Sequence, residues 1–108
     1  MPKIKVTQDM LLEAGYQVTK AEGHNAVNAR RIAKEVGCSV QPIYSYFSDM
    51  EDYMHQLYTY VQKDYLSRIS GSAPTFETAG KKHLEFAQYD RYLFIFLFMS
   101  DYQPRIGM

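Results

Sequence analysis

Four polar side chains are spaced to share one side of a short predicted helix near the middle of the chain. Separations of three and four residues connect Gln41, Tyr44, Ser45 and Ser48, and side chains with these separations lie on the same face of an α-helix. An amide can pair with the edge of adenine, hydroxyls can bind bases or phosphates, and tyrosine joins an aromatic ring to a polar tip. These groups suit contact with double-stranded DNA, although the same residue types also occur on ordinary solvated surfaces.

The element that positions these side chains is predicted to be a helix-turn-helix within residues 28–47. Counted from Ala29, a small residue (Ala33) is fifth, a glycine (Gly37) is ninth and a branched aliphatic residue (Ile43) is fifteenth. The small residue lets two helices cross closely, the glycine permits a left-handed turn, and the aliphatic side chain packs the second helix onto the first. Such a unit can place one helix in the major groove of DNA, but ordinary helical hairpins also have this spacing.

Capping residues and the recurrence of apolar residues every three or four positions predict an all-α chain. The first helix is predicted to begin after Thr7 and to end at Gly23. The second is predicted to be capped by Asn28 and to end at Gly37, and Ser39 is predicted to cap the third.

The second half of the chain is also predicted to be helical. A long helix is expected from about residue 49 toward residue 69, after which the sequence of residues 70–74 breaks the apolar pattern as a linker. Thr75 is predicted to cap the next helix, and Asp90 is predicted to cap the last one.

Composition limits the classes of protein to which the chain can belong. Because 46% of its 108 residues are hydrophobic and 22% are charged, the chain can bury a core. A single cysteine, Cys38, excludes an internal disulfide framework and a cysteine-rich metal site. The longest apolar run, Tyr92–Met99, has eight residues, whereas a membrane span needs roughly 18. No segment resembling a signal peptide is visible at the N-terminus, so a cytoplasmic location is expected.

The distribution of charge permits DNA binding without arguing for it. The formal net charge is zero, whereas nucleic-acid-binding domains are usually basic. Residues 1–47 contain six Lys or Arg and four Asp or Glu, while residues 48–70 contain two and four. The basic excess of the N-terminal half is therefore mild.

In combination these elements resemble the N-terminal domain of the TetR family of transcriptional regulators. In that family a glycine follows the first helix, the capped second helix contains Ile-Ala, a glycine forms the turn, and the third helix ends in Tyr-x-x-Phe. The corresponding residues here are Gly23, Asn28, Ile32-Ala33, Gly37 and Tyr44–Phe47. The later segment His83–Met99 is similar to the opening of the ligand-binding domain in many members.

The resemblance implies a DNA-binding domain at residues 1–48 and, at residues 49–108, a linking helix with a partial ligand-binding and dimerisation domain. It implies a dimeric repressor that binds a palindromic operator and is released by a small molecule. The residues expected to face bases are Ser39, Val40, Gln41, Pro42 and Ser45. Those expected at the DNA backbone are Asn28, Tyr44 and Tyr46, together with Arg30, which lies with Arg31 near the start of the second helix. The scaffold residues are Ile32, Ala33, Ile43 and Phe47. From the residues alone, Tyr44 and Tyr46 could instead be core aromatics, an alternative that applies most to Tyr46 because it is three positions from Ile43.

The chain departs from the family pattern in two respects. The fourth helix in this family commonly opens with a lysine that grips a phosphate, whereas here Asp49, Glu51 and Asp52 stand at this point. The chain is also about half the usual family length. The resemblance therefore implies weakened phosphate contacts and an incomplete effector domain.

The apolar segment Tyr92–Met99 and the aromatic residues of the C-terminal half leave two questions open. A helix that is apolar on all sides needs burial on all sides, which either a second copy of the chain or an intrachain core with the first and fourth helices could supply. A small-molecule pocket between the fourth and last helices is a further hypothesis. Its expected residues are Tyr58, Tyr65, Phe86, Phe94 and Phe98.

Other classes of function have less support in the sequence. The three histidines (His24, His55 and His83) are far apart, and no metalloprotease motif, nucleophile elbow or phosphate-binding glycine loop is present. Enzymatic activity, a metal site and a cofactor are therefore not expected. The alternative to a regulator is a helical protein-interaction or dimerisation module that has lost DNA binding, which the acidic start of the fourth helix and the zero net charge favour.

Overall fold

The computed structural model describes residues 5–70 and 90–102, which form α-helices and one short 3₁₀ turn without any strand. The predicted all-α fold is confirmed for these residues. The predicted linker at residues 70–74 and the predicted helix after Thr75 fall largely or wholly outside them. The elements are α1 (Gln8–Glu22), the 3₁₀ turn (His24–Ala26), α2 (Ala29–Val36), α3 (Gln41–Tyr46), α4 (Met50–Ser70) and α5 (Arg91–Met99).

The ends of α1 and α2 have the predicted caps. The hydroxyl of Thr7 accepts a hydrogen bond from the Met10 amide at 3.2 Å, and the Asn28 side chain accepts one from the Arg31 amide at 2.9 Å. Gly23 and Gly37 follow these helices with φ values of 97° and 85°. Both values lie in the region that glycine adopts without steric cost.

The predicted cap of the third helix was wrong. Val40, not Ser39, precedes the first residue of α3, and no side chain caps this end. A capping side chain accepts from the amide two or three positions further on. For Ser39 the second of these positions is Pro42, which has no amide proton. The first turn is closed instead by the Ile43 amide, which donates to the Val40 carbonyl at 3.1 Å.

The N-terminal helices share one interior. The side chains that fill it between α1, α2, α3 and α4 are Leu11, Ile32, Ile43, Phe47, Tyr53 and Leu57, all fully buried. The Tyr53 hydroxyl donates to the Leu11 carbonyl at 2.6 Å, so this polar group is paired inside the core. Burial raises the pKa of Tyr53. Because Ile43 and Phe47 are buried in this interior, they fix the orientation of α3.

The last helix packs on the same chain. Leu93, Phe96 and Leu97 of α5 are buried against α1 and α4, as in the intrachain alternative predicted above. The Tyr58 hydroxyl of α4 donates to the Leu97 carbonyl at 2.6 Å. Asp90 precedes α5 as predicted, but its side chain makes no capping hydrogen bond. Its carboxylate lies instead 4.0 Å from the Lys20 ammonium. None of the helices in the described ranges combines the length and hydropathy of a membrane span.

Candidate nucleic-acid interface

The two sides of α3 differ as the sequence predicted. Ile43 is 0% exposed and Phe47 is 1% exposed, and the Phe47 ring meets the Tyr53 ring edge-on with centroids 4.9 Å apart. On the opposite side, Gln41 and Ser45 are exposed. Because the buried side holds the helix, the exposed side has a defined orientation toward solvent.

The turn before α3 extends this exposed surface. The amides of Gly37 and Cys38 both donate to the Ala33 carbonyl, at 2.8 and 2.9 Å, and Cys38 is half-buried. Ser39 and Val40 then follow as exposed residues. Pro42 is half-buried. Of the five residues expected to face bases, all but Pro42 are thus exposed.

The polar groups on α3 differ in whether they already have a partner. The Ser45 hydroxyl donates to the Gln41 carbonyl of its own helix at 3.2 Å. The Gln41 side chain and the Tyr44 hydroxyl have no hydrogen-bond partner among the residues that the structure describes. These two groups are available to a molecule that binds to this surface.

Tyr46 was expected at the DNA backbone, and its hydroxyl has a partner within the chain. It donates to the carbonyl of Val6 at 3.0 Å, across a sequence separation of 40 residues. The ring is 43% exposed, compared with 51% for Tyr44. The two tyrosines of α3 are therefore similarly accessible but differ in hydrogen bonding.

The two arginines at the start of α2 also differ. Arg31 forms ion pairs with Glu22 and with Glu35, the latter at 2.9 Å. Hydrogen bonds to these two carboxylates raise the pKa of Arg31. Arg30 is exposed and makes no ion pair within the described part of the chain. Arg30 is therefore the guanidinium that a phosphate can reach.

The acidic residues at the start of α4 cap that helix. The Asp49 carboxylate accepts from the Asp52 amide at 2.8 Å, and the Asp52 carboxylate accepts from the Ser48 amide at 3.0 Å. Hydrogen bonds from the Ser48 backbone and then from the Gln56 side chain lower the pKa of Asp52. Glu51 is exposed, with one carboxylate oxygen 3.9 Å from the His55 ring. Two of the three acids thus have a structural role.

The residues expected in a small-molecule pocket meet between α4 and α5, except Phe86, which lies outside the described residues. Tyr58 and Tyr65 are buried. The Tyr65 ring meets the Phe98 ring edge-on at 5.4 Å, and the Phe94 and Phe98 centroids are 5.0 Å apart. The four side chains therefore share one apolar contact region.

Comparison with known proteins finds one family model that matches the helix-turn-helix. Residues 11–57 match the family model described as bacterial regulatory proteins, tetR family. No curated protein and no solved structure matches the chain. The matched residues run from the first turns of α1 through α2 and α3 into α4, so they include the buried scaffold and the exposed side of α3. The match supports a DNA-binding domain of the TetR type in the N-terminal part of this chain, as the resemblance in sequence implied.

Proposed function

We propose that this chain is a transcriptional repressor that binds a palindromic operator as a homodimer, with α3 in the major groove. The observation that carries this proposal is the pair of polar groups on α3 that lack a partner within the described residues. Gln41 and Tyr44 project from a helix whose other side is held in the core by Ile43 and Phe47. A fixed helix with free donors and acceptors has the geometry that direct recognition of bases requires.

In this proposal the first half of the interface recognises bases. The Gln41 amide can donate and accept at once, and this matches the paired acceptor and donor on the major-groove edge of adenine. Val40 offers an apolar side chain that suits the methyl group of thymine. Ser39, Pro42 and Ser45 complete the surface that faces the bases.

The second half of the interface binds the phosphate backbone. Asn28 is exposed, and its side-chain oxygen caps α2, so the amide NH₂ remains free to donate to a phosphate. The Tyr44 hydroxyl supplies another donor. Arg30 supplies a positive charge without a competing carboxylate, and phosphate contacts of this kind set the register of a protein on DNA.

Regulation by a small molecule belongs to the same proposal. Residues 1–48 form the DNA-binding domain, and residues 49–108 form the linking helix with a partial effector and dimerisation domain. The effector is expected to contact the aromatic region between α4 and α5, which contains Tyr58, Tyr65, Phe94 and Phe98, together with Phe86. A dimer is expected to place two copies of α3 about one DNA turn apart, roughly 34–36 Å.

The alternative function, a protein-interaction module without DNA binding, was favoured by the acidic start of α4 and by the zero net charge. Asp49 accepts a hydrogen bond from the Asp52 amide in the first turn of α4, and Asp52 accepts one from the Ser48 amide just before this helix, so stabilisation of α4 accounts for both acids. This observation favours the regulator over the interaction module.

Selection of duplexes from a random pool tests the proposed function. We expect the protein to enrich an inverted repeat and to bind it more tightly than a random duplex. Affinity should fall with salt with a log–log slope of about −0.9 per phosphate that a Lys or Arg neutralises. Light scattering of the complex should give two chains per duplex. Equal affinity for selected and random duplexes would favour the interaction module.

A further inference from the structure

The hydrogen bond between Tyr46 and Val6 joins the end of α3 to the segment before α1. The Tyr46 hydroxyl donates to the Val6 carbonyl at 3.0 Å, and the Val6 side chain packs against the core. We propose that Tyr46 is a positioning residue, which holds the N-terminal segment beside α3 so that the Lys5 ammonium binds a DNA phosphate. This inference rests on the proposed function and adds a DNA contact to it.

The Tyr46 hydroxyl has only one proton, so it can donate to only one acceptor at a time. This proton is used by the Val6 carbonyl. Phosphate oxygens are acceptors, so a tyrosine binds them by donating. While its bond to Val6 persists, Tyr46 cannot donate to a phosphate, whereas Tyr44 on the same helix can.

Lys5 has the properties of a phosphate ligand. It is exposed, it precedes the anchored Val6, and it makes no ion pair within residues 5–70 and 90–102. The segment from Gly37 to Glu51, which contains α3, has no Lys or Arg at all. Any positive charge at the end of α3 must therefore come from another part of the chain, and the bond to Tyr46 brings Lys5 to this end.

A double-mutant cycle tests the inference. The variants are Lys5→Ala, Tyr46→Phe and their combination, all made without an N-terminal tag. The probe is the labelled duplex that selection returns for the wild type, titrated from 50 to 200 mM salt. We expect Lys5→Ala to reduce the magnitude of the log–log slope by about 0.9, the value for one phosphate contact. Tyr46→Phe should also reduce the slope, because a released Lys5 contacts the phosphate less often.

The combination distinguishes positioning from direct contact. If Tyr46 acts through Lys5, the double variant should bind no more weakly than Lys5→Ala alone. If Tyr46 instead contacts DNA directly, Tyr46→Phe should leave the slope unchanged, since a neutral hydroxyl replaces no counterion, and the two losses in affinity should multiply. That second result would overturn the inference.

Matched variants separate this role from general effects. Tyr44→Phe removes a hydroxyl from the same helix and should leave the slope unchanged. Lys63→Ala removes an exposed cation of α4. Lys63 is 13 positions after the start of this helix, about 20 Å along its axis, so its loss should change neither slope nor affinity.

Lys5 is exposed, so Lys5→Ala should fold like the wild type. This variant therefore tests the phosphate contact of Lys5 even if Tyr46→Phe lowers stability. If the wild type prefers its selected duplex but Lys5→Ala keeps the full salt slope, this inference is refuted while the proposed function stands. A wild type without any preference would refute the proposed function.

Discussion

At the scale of single residues, neighbouring side chains of the same type differ in whether they have a partner inside the chain. Tyr44 and Tyr46 both project from α3, but only the Tyr46 hydroxyl has a partner among the described residues. Arg30 and Arg31 are neighbours, but only Arg31 is paired with carboxylates. The bond from Tyr46 to Val6 spans 40 residues, so no local pattern around α3 indicates it. The pair of Arg31 with Glu35 is an i,i+4 pair within α2, which local sequence does indicate.

Replacement of Gln41 by alanine should change which sequence the protein prefers. The amide is the one group on α3 that can form two hydrogen bonds with a base edge, and such a pair contributes about 1–3 kcal/mol of discrimination. We expect Gln41→Ala to lose preference at one position of each half-site, whereas Tyr44→Phe should weaken selected and random duplexes alike. Anisotropy titrations with singly substituted duplexes measure both effects.

Gln62→Ala, at an exposed position of α4, is the matched control for loss of a glutamine and should bind as the wild type does. An equal loss of affinity by Gln41→Ala for every duplex would mean that Gln41 only contacts the DNA backbone.

Replacement of Arg30 by alanine should reduce the salt dependence of DNA binding, and replacement of Arg31 should not. Arg30 can neutralise a phosphate, so its loss should lower the magnitude of the log–log slope by about 0.9. Arg31 is already neutralised by Glu22 and Glu35. Parallel titrations of the two variants across salt concentrations compare the slopes. The opposite ranking would show that Arg31 leaves its ion pairs to bind DNA.

At the scale of the elements, the crossing of α1 and α4 depends on a glycine. A Cβ atom at Gly15 would overlap the Tyr53 hydroxyl and lie 3.1 Å from Leu57 Cδ2. Because the Tyr53 hydroxyl is held by its bond to the Leu11 carbonyl, it cannot move aside without losing that bond. The two helices can therefore approach this closely only with glycine at this position.

Replacement of Gly15 by alanine should lower the free energy of unfolding by about 1–3 kcal/mol, the usual range for an overpacked core. Urea denaturation followed by circular dichroism measures the loss. Addition of Tyr53→Phe removes the overlapping hydroxyl and should recover part of the stability that Gly15→Ala loses. If Gly15→Ala is as stable as the wild type, the two helices are further apart than described.

The bounds and faces of these elements were predictable to different degrees. Thr7, Asn28 and the two helix-ending glycines act through neighbours a few residues away, so their roles follow from local sequence. The prediction that Ser39 caps α3 was wrong because it relied on the preference for serine at helix starts. It did not take into account that Pro42 has no amide proton. Contacts between distant segments, such as Tyr46 with Val6, depend on the whole fold and have no signal in the spacing of residues.

The 3₁₀ turn is joined to α5 through an aromatic stack. The His24 ring lies on the Phe96 ring with centroids 5.1 Å apart and an interplanar angle of 22°, and it meets the Tyr102 ring edge-on at 6.3 Å. Burial lowers the pKa of His24, and the nearby Asp101 carboxylate partly opposes this change. A neutral ring is therefore favoured where the turn contacts α5.

The stability of the chain should decrease as this histidine becomes protonated. Since the folded state has the lower pKa, the unfolded state binds the proton more readily, and stability rises with pH through this range. The contribution of His24 should be complete above pH 6.5, the ordinary pKa of histidine, and should be lost as the pH falls through the lower pKa of the folded state. Chemical denaturation at about pH 7.5 and about pH 5.5, each roughly one unit from that ordinary value, measures it.

His24→Phe keeps the ring stack and removes the titration, so it is the matched control. The wild type should lose more stability than His24→Phe as the pH falls. Parallel losses in the two proteins would show that protonation of His24 does not weaken the contact with α5.

At the scale of the whole molecule, a net charge of zero does not show which cations are paired with carboxylates. Lys5, Arg30 and Lys34 belong to the N-terminal half and make no ion pair among the described residues, whereas Arg31 and Lys20 are paired with carboxylates. Asp49 and Asp52 at the start of α4 cap that helix. The sum of charges therefore does not show which cations of the N-terminal half remain available to phosphates.

The central claim, that the exposed side of α3 binds base pairs, is tested most directly by ¹⁵N-resolved NMR of the full chain during titration with its selected duplex. We expect the side-chain amide of Gln41 and the backbone amides of residues 39–41 and 43–46 to shift most, while those of α5 shift little. A bound state in which the Gln41 amide and α3 keep their free positions, with the large shifts elsewhere, would show that α3 does not bind the base pairs.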